Sequence, residues 1–450
     1  MRLTAVVALL AFGLLRLPAQ TTASFVALHT FSATSGDPAT NYDGASPTAG
    51  LVLSGNTLYG TTMEGGEAGF GTIFQVNTDG SDFNTLYSFT NGIDGANPLA
   101  PLILTNGILY GSASAGGASH DGTIFAMSIA GTNFSPLYAF TNGVDGASPE
   151  QSLLFVDGNL YGATSGTYSG SSYGTVFRLN TNGAGFSVLH GFSVPVSAEN
   201  SDGFSPAGPL IGQGSQVYGA ATDGGTHGTG TLFEAATNGS SFDAFYDFAA
   251  TSGFLVNGGG AYPTGGAVAS GGILYGAAYW GGADGFGTIY ACDLDGSGYR
   301  PLYVFTGSDD YLNPQGPLIL SSNLLYGTTP ATIFALTTNG TDFTNVFSST
   351  ADDFGPNSGL LMVGQSFYGT THYSGSNGLG VVFAINQVPL AVSLSIQQAA
   401  GNVILSWTNT FFTLQAAPTL TGPFTNVPAA TSPYTNALTS SQAFFRLNAN

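Results

Sequence analysis

The chain has 450 residues, of which only 7% are charged, and its formal net charge of -20 comes from 25 acids against 5 bases. Lysine is absent, and beyond residue 20 the only fixed positive charges are Arg178, Arg300 and Arg446. Phosphate-backbone binding needs several clustered cations, so nucleic acid and anionic membrane surfaces are excluded as partners. The length allows a large core and more than one domain. Cys292 is the single cysteine, so no disulfide can form within the chain. An exported chain of this size without disulfides fits a bacterial source.

Residues 1–23 read as a secretory signal peptide. Arg2 supplies a short basic start, residues 3–15 are an apolar run too short to span a bilayer, and Ala19 or Ala23 marks the cleavage site. A retained N-terminal anchor is the alternative. No cysteine follows the apolar run to take a lipid, and no later segment is long and apolar enough to cross a membrane. The expected location is secreted or cell-surface.

Residues 25–31 come next, with Phe25, Leu28, His29 and Phe31 matching the close of a motif that recurs downstream: Phe83, Leu86, Tyr87 and Phe89, then Phe134, Leu137, Tyr138 and Phe140. A Tyr-Gly pair returns at Tyr59, Tyr110, Tyr161, Tyr218, Tyr275, Tyr326 and Tyr368, mostly 51 or 57 residues apart. A period of this size marks tandem supersecondary units. Each copy holds four short apolar runs, a to d, bounded by Gly, Asn, Asp and Pro, which read as strands. In the second copy they are residues 101–104, 108–111, 123–125 and 134–140. Asn106-Gly107, Asp157-Gly158 and Gly271-Gly272 join a to b, while Asp79-Gly80, Asn182-Gly183 and Asp295-Gly296 join c to d. Both sets predict two-residue hairpins, so each copy is an antiparallel meander.

The fourth and fifth copies are longer, near 193–201 and 251–260, and the sixth has a shortened b–c loop. The seventh stops at Ile385 without a run d, and residues 25–31 are a run d without a copy. Pairing the two leftovers closes a ring and removes two exposed sheet edges. The expected fold is therefore all-β: a seven-bladed β-propeller of four-stranded antiparallel blades, closed by the N-terminal strand. From Pro389 the pattern changes to alternating segments at 392–396, 402–407, 411–415, 424–427 and 444–447. These predict a small immunoglobulin-like or fibronectin-like β module with Trp407 in its core. The chain divides into signal 1–23, propeller 24–387 and module 389–450, with the linker at 384–389.

The repeat L-Y-G-x-T…G-G…G-T-I-F…N-x-x-G-x-x-F-x-x-L-Y-x-F resembles the Gloeobacter/Verrucomicrobia tandem repeat, the GloVer repeat of choice-of-anchor proteins, over residues 25 to about 385. The tail, with residues 403–407, 412–415 and 444–447, is similar to C-terminal modules of secreted verrucomicrobial proteins. The resemblance implies an exported bacterial β-propeller of unassigned activity, often with a C-terminal anchoring segment. Here no terminal apolar helix with a basic tail is present. The family brings no catalytic residues.

In such a fold the b–c and d–a loops share one face, and here they are the long and variable ones, so binding is expected there. The b–c loops carry Glu64, Glu67, His120, Asp121, Tyr168, Tyr173, Asp223, His227, Tyr279, Trp280, Asp284, His372 and Tyr373. Aromatic rings beside carboxylates suit a sugar surface. Glu64, His120, Tyr168, His227, Tyr279, Trp280, His372 and Tyr373 are the candidate ligand-binding residues. The d–a loops place an Asp four residues before a Pro at Asp43, Asp94, Asp145, Asp202, Asp310 and Asp352, with Gly259 in the fifth copy. Those carboxylates either ring one mouth of the central channel, where calcium is the candidate ion, or accept backbone bonds that start a turn. No cofactor is required. Glu64 and Glu67 sit in a Gly-rich loop and do not make a glycosidase pair. Asp293 and Asp295 lack the later ligands of a calcium loop. The expected function is non-catalytic binding of an extracellular polysaccharide or surface protein by a monomer. The alternatives are a structural or adhesive envelope protein and an extracellular carbohydrate-active enzyme.

Overall fold

The computed structural model describes residues 23–166, 172–264, 266–307, 313–349, 359–386, 395–399, 402–407, 412–417, 423–428, 430–437 and 444–449. Among them the architecture is all-β, with one 3-10 turn at Gly253–Leu255. Residues 24–386 form seven separate antiparallel sheets, each built from strands consecutive in the chain, with a single exception at the ends. The first is Val52–Ser54, Thr57–Thr62, Thr72–Asn77 and Asn84–Ser88 in that order, giving strands a, b, c and d.

The Tyr-Gly and Gly-Thr-Ile-Phe motifs meet across strands b and c. Gly60 pairs with Phe74, and a Cβ added to Gly60 would lie 2.6 Å from the ring tip of Phe74 and 2.7 Å from Leu51. Gly111 has the same relation to Phe125 and Leu102, and Gly162 to Phe177 and Leu153. The glycine is thus a seat for a phenyl ring in the adjacent strand, which explains why the two motifs recur together.

Strand d of one sheet packs against the next sheet through rings. Tyr87 stacks on Phe134 at 3.8 Å, Phe89 meets Phe125 edge-on at 5.3 Å, and Phe125 stacks on Phe134. Such pairs add to the burial of large apolar area. Accordingly the core is a series of clusters, each shared by two successive sheets. Tyr59, Phe89, Leu109 and Phe125 join the first and second, and Tyr110, Phe140, Leu160 and Phe177 join the second and third. The series continues through the third and fourth, fourth and fifth, fifth and sixth, and sixth and seventh. A further cluster, with Phe31, Leu58, Phe74, Tyr368 and Val382, joins the seventh to the first.

The exception in strand order lies here. Ser24–Thr30 pairs antiparallel with Val381–Asn386, Phe25 opposite Ile385 and Thr30 opposite Val381, and supplies strand d of the seventh sheet. His29 stacks on Phe83 at 3.5 Å and Phe31 meets Phe74 edge-on at 5.6 Å. These are the roles that Tyr87 and Phe89 play one sheet later.

Three expectations change. The a–b turns at Asn106-Gly107, Asp157-Gly158 and Gly271-Gly272 have both central residues at positive φ. In the c–d turn at Asp79-Gly80 only Gly80 does, at 87°, and Asn77 and Ser81 close a three-residue loop. A type I turn ending in a left-handed glycine satisfies the same Asp-Gly sequence as the two-residue turn. The fifth sheet has five strands, because Ala261–Pro263 and Val268–Ser270 both pair with Ile273–Trp280. The linker starts later than residue 384, since Ile385 and Asn386 are paired with Phe25 and Ser24.

In the C-terminal part, Ser395–Ala399, Asn402–Ser406 and Tyr434–Ala437 form one three-stranded sheet, and Thr425–Asn426, Phe412–Ala417 and Phe444–Ala449 another. Trp407, Leu405 and Leu414 make its buried cluster. The strand at 434–437 has no counterpart in the sequence expectation: Tyr434 follows Ser432-Pro433 and reads as turn. Residues 392–394 of the expected first strand lie outside the described residues.

Candidate functional site

Each d–a link crosses the ends of strands c and b of the next sheet before entering strand a. In the link from first to second sheet the Thr123 hydroxyl donates to the Asp94 carbonyl, and Ala96 bridges Ala115. Asp94 therefore lies over strand c and beside Tyr87 of strand d. Its carboxylate accepts from the Thr90 amide at 2.8 Å, the Thr90 hydroxyl at 2.7 Å, the Gly92 amide at 3.1 Å and the Tyr87 hydroxyl at 3.1 Å. Asp145 repeats all four bonds with Thr141, Gly143 and Tyr138.

Where strand d carries histidine, the partners change together. Asp43 takes His29 at 3.0 Å with the amide and hydroxyl of Ser32, and Asp202 takes His190 at 2.9 Å with Ser193. Burial alone would raise the Asp43 and Asp202 carboxyls, but these bonds outweigh it and hold both below the usual aspartate value. The arrangement differs from a ring at a channel mouth: these four carboxylates sit at the strand c and d side of the link and are engaged within it. Asp310 and Asp352 lie outside the described residues. Among the described residues no group of three or more metal-ligating side chains is present.

The ligand candidates distribute over separate links. Glu64, Trp280 and Tyr373 occupy one structural position, the second residue past the end of the Tyr-Gly-x-x run, and Asp223 occupies it in the fourth copy. Glu64 of the first copy acts by its charge on His372 of the last, against the burial that lowers that imidazole. His372 stacks on Tyr373 at 3.7 Å. Tyr279 and Trp280 meet edge-to-face at 5.0 Å. His120 and His227 are exposed, each on its own link. Tyr168 lies outside the described residues.

A cavity of about 560 Å3 opens on this face between the third and fourth sheets, lined by the d–a and b–c links of the third and by the facing ends of strands a and b of the fourth. None of the eight candidates is among its described lining residues, which include Glu150, Gln151, Ser165, Tyr173, Phe204 and Asp223. Its frame is built by residues held at unusual backbone angles. Ser148 and Ser205 are left-handed, with φ of 56° and 53°, immediately before Pro149 and Pro206. The Ser205 amide donates to the carbonyl of Tyr173 at 3.0 Å, tying the two copies together. The Gly208 amide donates to the Gln151 side chain at 2.7 Å, joining strand a of the fourth sheet to the link before strand a of the third. Tyr173 and Phe204 cross edge-on at 6.0 Å.

Ser165 donates to the Glu150 carboxylate at 3.1 Å. Burial raises Glu150 above its usual value against the effect of that bond, and burial likewise raises Asp223. Sequence reading missed Glu150 because it sits in the short stretch between the link proline and strand a, away from the long b–c loops. The signal was there: the residue after the link proline is Thr48, Leu99, Glu150, Ala207, Thr264 and Gln315, with one charge among them.

These features define an all-β tandem-repeat protein whose long links gather on one face over a sheet scaffold. The chain belongs to the Gloeobacter/Verrucomicrobia repeat family, whose model matches residues 18–200 and 191–332. No curated protein matches it in sequence. Among solved structures it is similar to the extracellular domain of a hybrid two-component system from B. thetaiotaomicron, with a TM-score of 0.51, 8% identity and coverage of 84% of this chain and 45% of that one. At that identity the likeness speaks to fold alone. The tricorn protease matches with a TM-score of 0.40 and 13% identity over 80% of this chain and 33% of its own. A chain of the nidogen/laminin complex matches with 0.39 and 13% over 67% and 89%. The chain thus spans under half the length of the two-component extracellular domain and of the tricorn protease. Among the described residues no helix is long and apolar enough to cross a membrane.

Proposed function

We propose that this protein is a closed seven-bladed β-propeller with a C-terminal immunoglobulin-like module, exported to the cell surface or beyond. In this reading it acts as a monomer and binds an extracellular polysaccharide through its loop face without catalysis. Closure is supported by the pairing of Ser24–Thr30 with Val381–Asn386 and by the cluster shared between seventh and first sheets. The polysaccharide reading rests on the cavity of about 560 Å3, where carboxylates, serine hydroxyls and an amide stand beside two aromatic rings. Small-molecule sites have this size and this mix of ring faces with a few placed polar groups.

The test is a polysaccharide array probed with the full-length chain and with Phe204→Ala and Trp280→Ala, in calcium and in chelator. Binding that Phe204→Ala abolishes supports the cavity. Binding that only Trp280→Ala abolishes moves the site to the fifth copy. Release of reducing ends from a bound glycan would replace the binding reading with a hydrolase.

A second reading has its own observation. Tyr42, Ile93 and Val144 each precede the link Asp and are 85%, 76% and 92% exposed. Exposed apolar side chains repeated along one face suit adhesion to a protein surface. An array without any bound glycan favours that role.

A further inference from the structure

The cavity between the third and fourth sheets holds two carboxylates, Glu150 and Asp223, and no basic side chain among its described lining residues. The chain has little to offer as a counter-charge, since it contains no lysine. The Arg178 guanidinium is engaged with the Thr237 carbonyl at 3.5 Å, and that of Arg300 with the Gly298 carbonyl at 3.1 Å. Both acids are partly withdrawn from water, which works against their ionised forms. A ligand that brings its own positive charge relieves this, whereas an anionic one worsens it.

The remaining lining narrows the class. Serine and threonine hydroxyls donate and accept, as sugar hydroxyls require, and Tyr173 with Phe204 offers ring surface to an apolar sugar face. We infer that the cavity takes a saccharide unit carrying a free primary ammonium, an unacetylated amino sugar, with Glu150 and Asp223 as its counter-charges. This rests on the polysaccharide reading of the same face and adds the charge of the ligand to it. Uronate-bearing and sulfated glycans are excluded by the same two carboxylates. An N-acetylated unit brings the volume without the charge.

The experiment is calorimetric titration of the full-length chain with three oligosaccharides of equal length: fully deacetylated glucosamine, N-acetylglucosamine and neutral glucose oligomers. The deacetylated oligomer is expected to bind at least tenfold more tightly than the other two, and less tightly as salt rises. Glu150→Gln and Asp223→Asn keep the side-chain shapes and are each expected to remove about tenfold of that preference. Equal affinity for the glucose oligomer, or tighter binding of an added uronate oligomer, overturns the inference and leaves the polysaccharide reading standing. No heat with any of them overturns both. Should either variant fail to fold, the ranking of the three ligands on the unaltered chain still decides.

Discussion

Pro47 of the first copy lies against Gly380 of the last. A Cβ placed on Gly380, whose φ is 93°, would stand 2.5 Å from the Cδ of Pro47. The same contact recurs one sheet at a time, with Pro98 on Gly71, Pro149 on Gly122, Pro206 on Gly174, Pro263 on Gly230 and Pro314 on Gly287. The residue before each of these prolines is left-handed, from Ser46 to Asn313. The Ser46 amide donates to Leu379, the Asn97 amide to Phe70 and the Asn313 amide to Phe286. One seal therefore joins every described pair of neighbouring copies, and the first-to-last pair uses the same parts.

Gly122→Ala breaks one such seal in mid-chain. The new methyl would meet Pro149 at 2.5 Å with φ at 99°, so both crowding and backbone strain oppose it. A loss of about 2–4 kcal/mol is expected in urea melts. Gly107→Ala, with φ at 75° but open space around it, is expected to cost about 1 kcal/mol.

Removing residues 24–31 takes away an entire strand and the ring contacts of His29 and Phe31. Calorimetry should show a melting temperature lower by at least 10 °C, or aggregation through the exposed edge of Val381–Asn386. Phe31→Ala is the milder form, with about 3–5 kcal/mol expected for a fully buried phenylalanine. An unchanged melt for the deletion would end the closure reading.

Acid should act on the first and third-to-fourth links in one direction and on the cavity in the other. Asp43 and Asp202 are held below the unfolded aspartate value, so their stabilisation is present above that value and is lost as pH falls through the folded one. The unaltered chain should therefore lose melting temperature faster below pH 4 than Asp43→Asn/Asp202→Asn. Glu150 is raised, so its contribution is favourable below the unfolded glutamate value and fades as pH climbs through the folded one. Glu150→Gln should be the more stable protein at pH 7 and lose that advantage near pH 4.

Tyr290 replaces the phenylalanine of the other copies, and its fully buried hydroxyl has no hydrogen-bond partner among the described residues. An unsatisfied buried hydroxyl costs about 1–3 kcal/mol. Tyr290→Phe restores the repeat residue and should raise stability by about 1 kcal/mol, read as a shift in urea midpoint at constant slope.

In the same copy Gly259 stands where other links have Asp, and Tyr299 stands where they have Phe. The Tyr299 hydroxyl donates to the Gly259 carbonyl at 2.5 Å and its ring stacks on Tyr246 at 4.0 Å. The paired departure is visible in the sequence as two unrelated substitutions 40 positions apart.

By itself the sequence determined the period, the four strands of each copy and the membership in a repeat family, because those depend on local alternation and turn chemistry. It also pointed to the unpaired strand at residues 25–31. The tertiary structure decided what lies between copies, since sheet-to-sheet contacts link residues with no fixed spacing on a local period. Only there does the glycine before Thr72 become the seat of Pro98, and the link aspartate the partner of Tyr87 rather than part of a channel mouth. The same reason governs the site. Glu150 belongs to the link before the third sheet and Asp223 to the end of strand b of the fourth, and the cavity that unites them arises where two sheets meet.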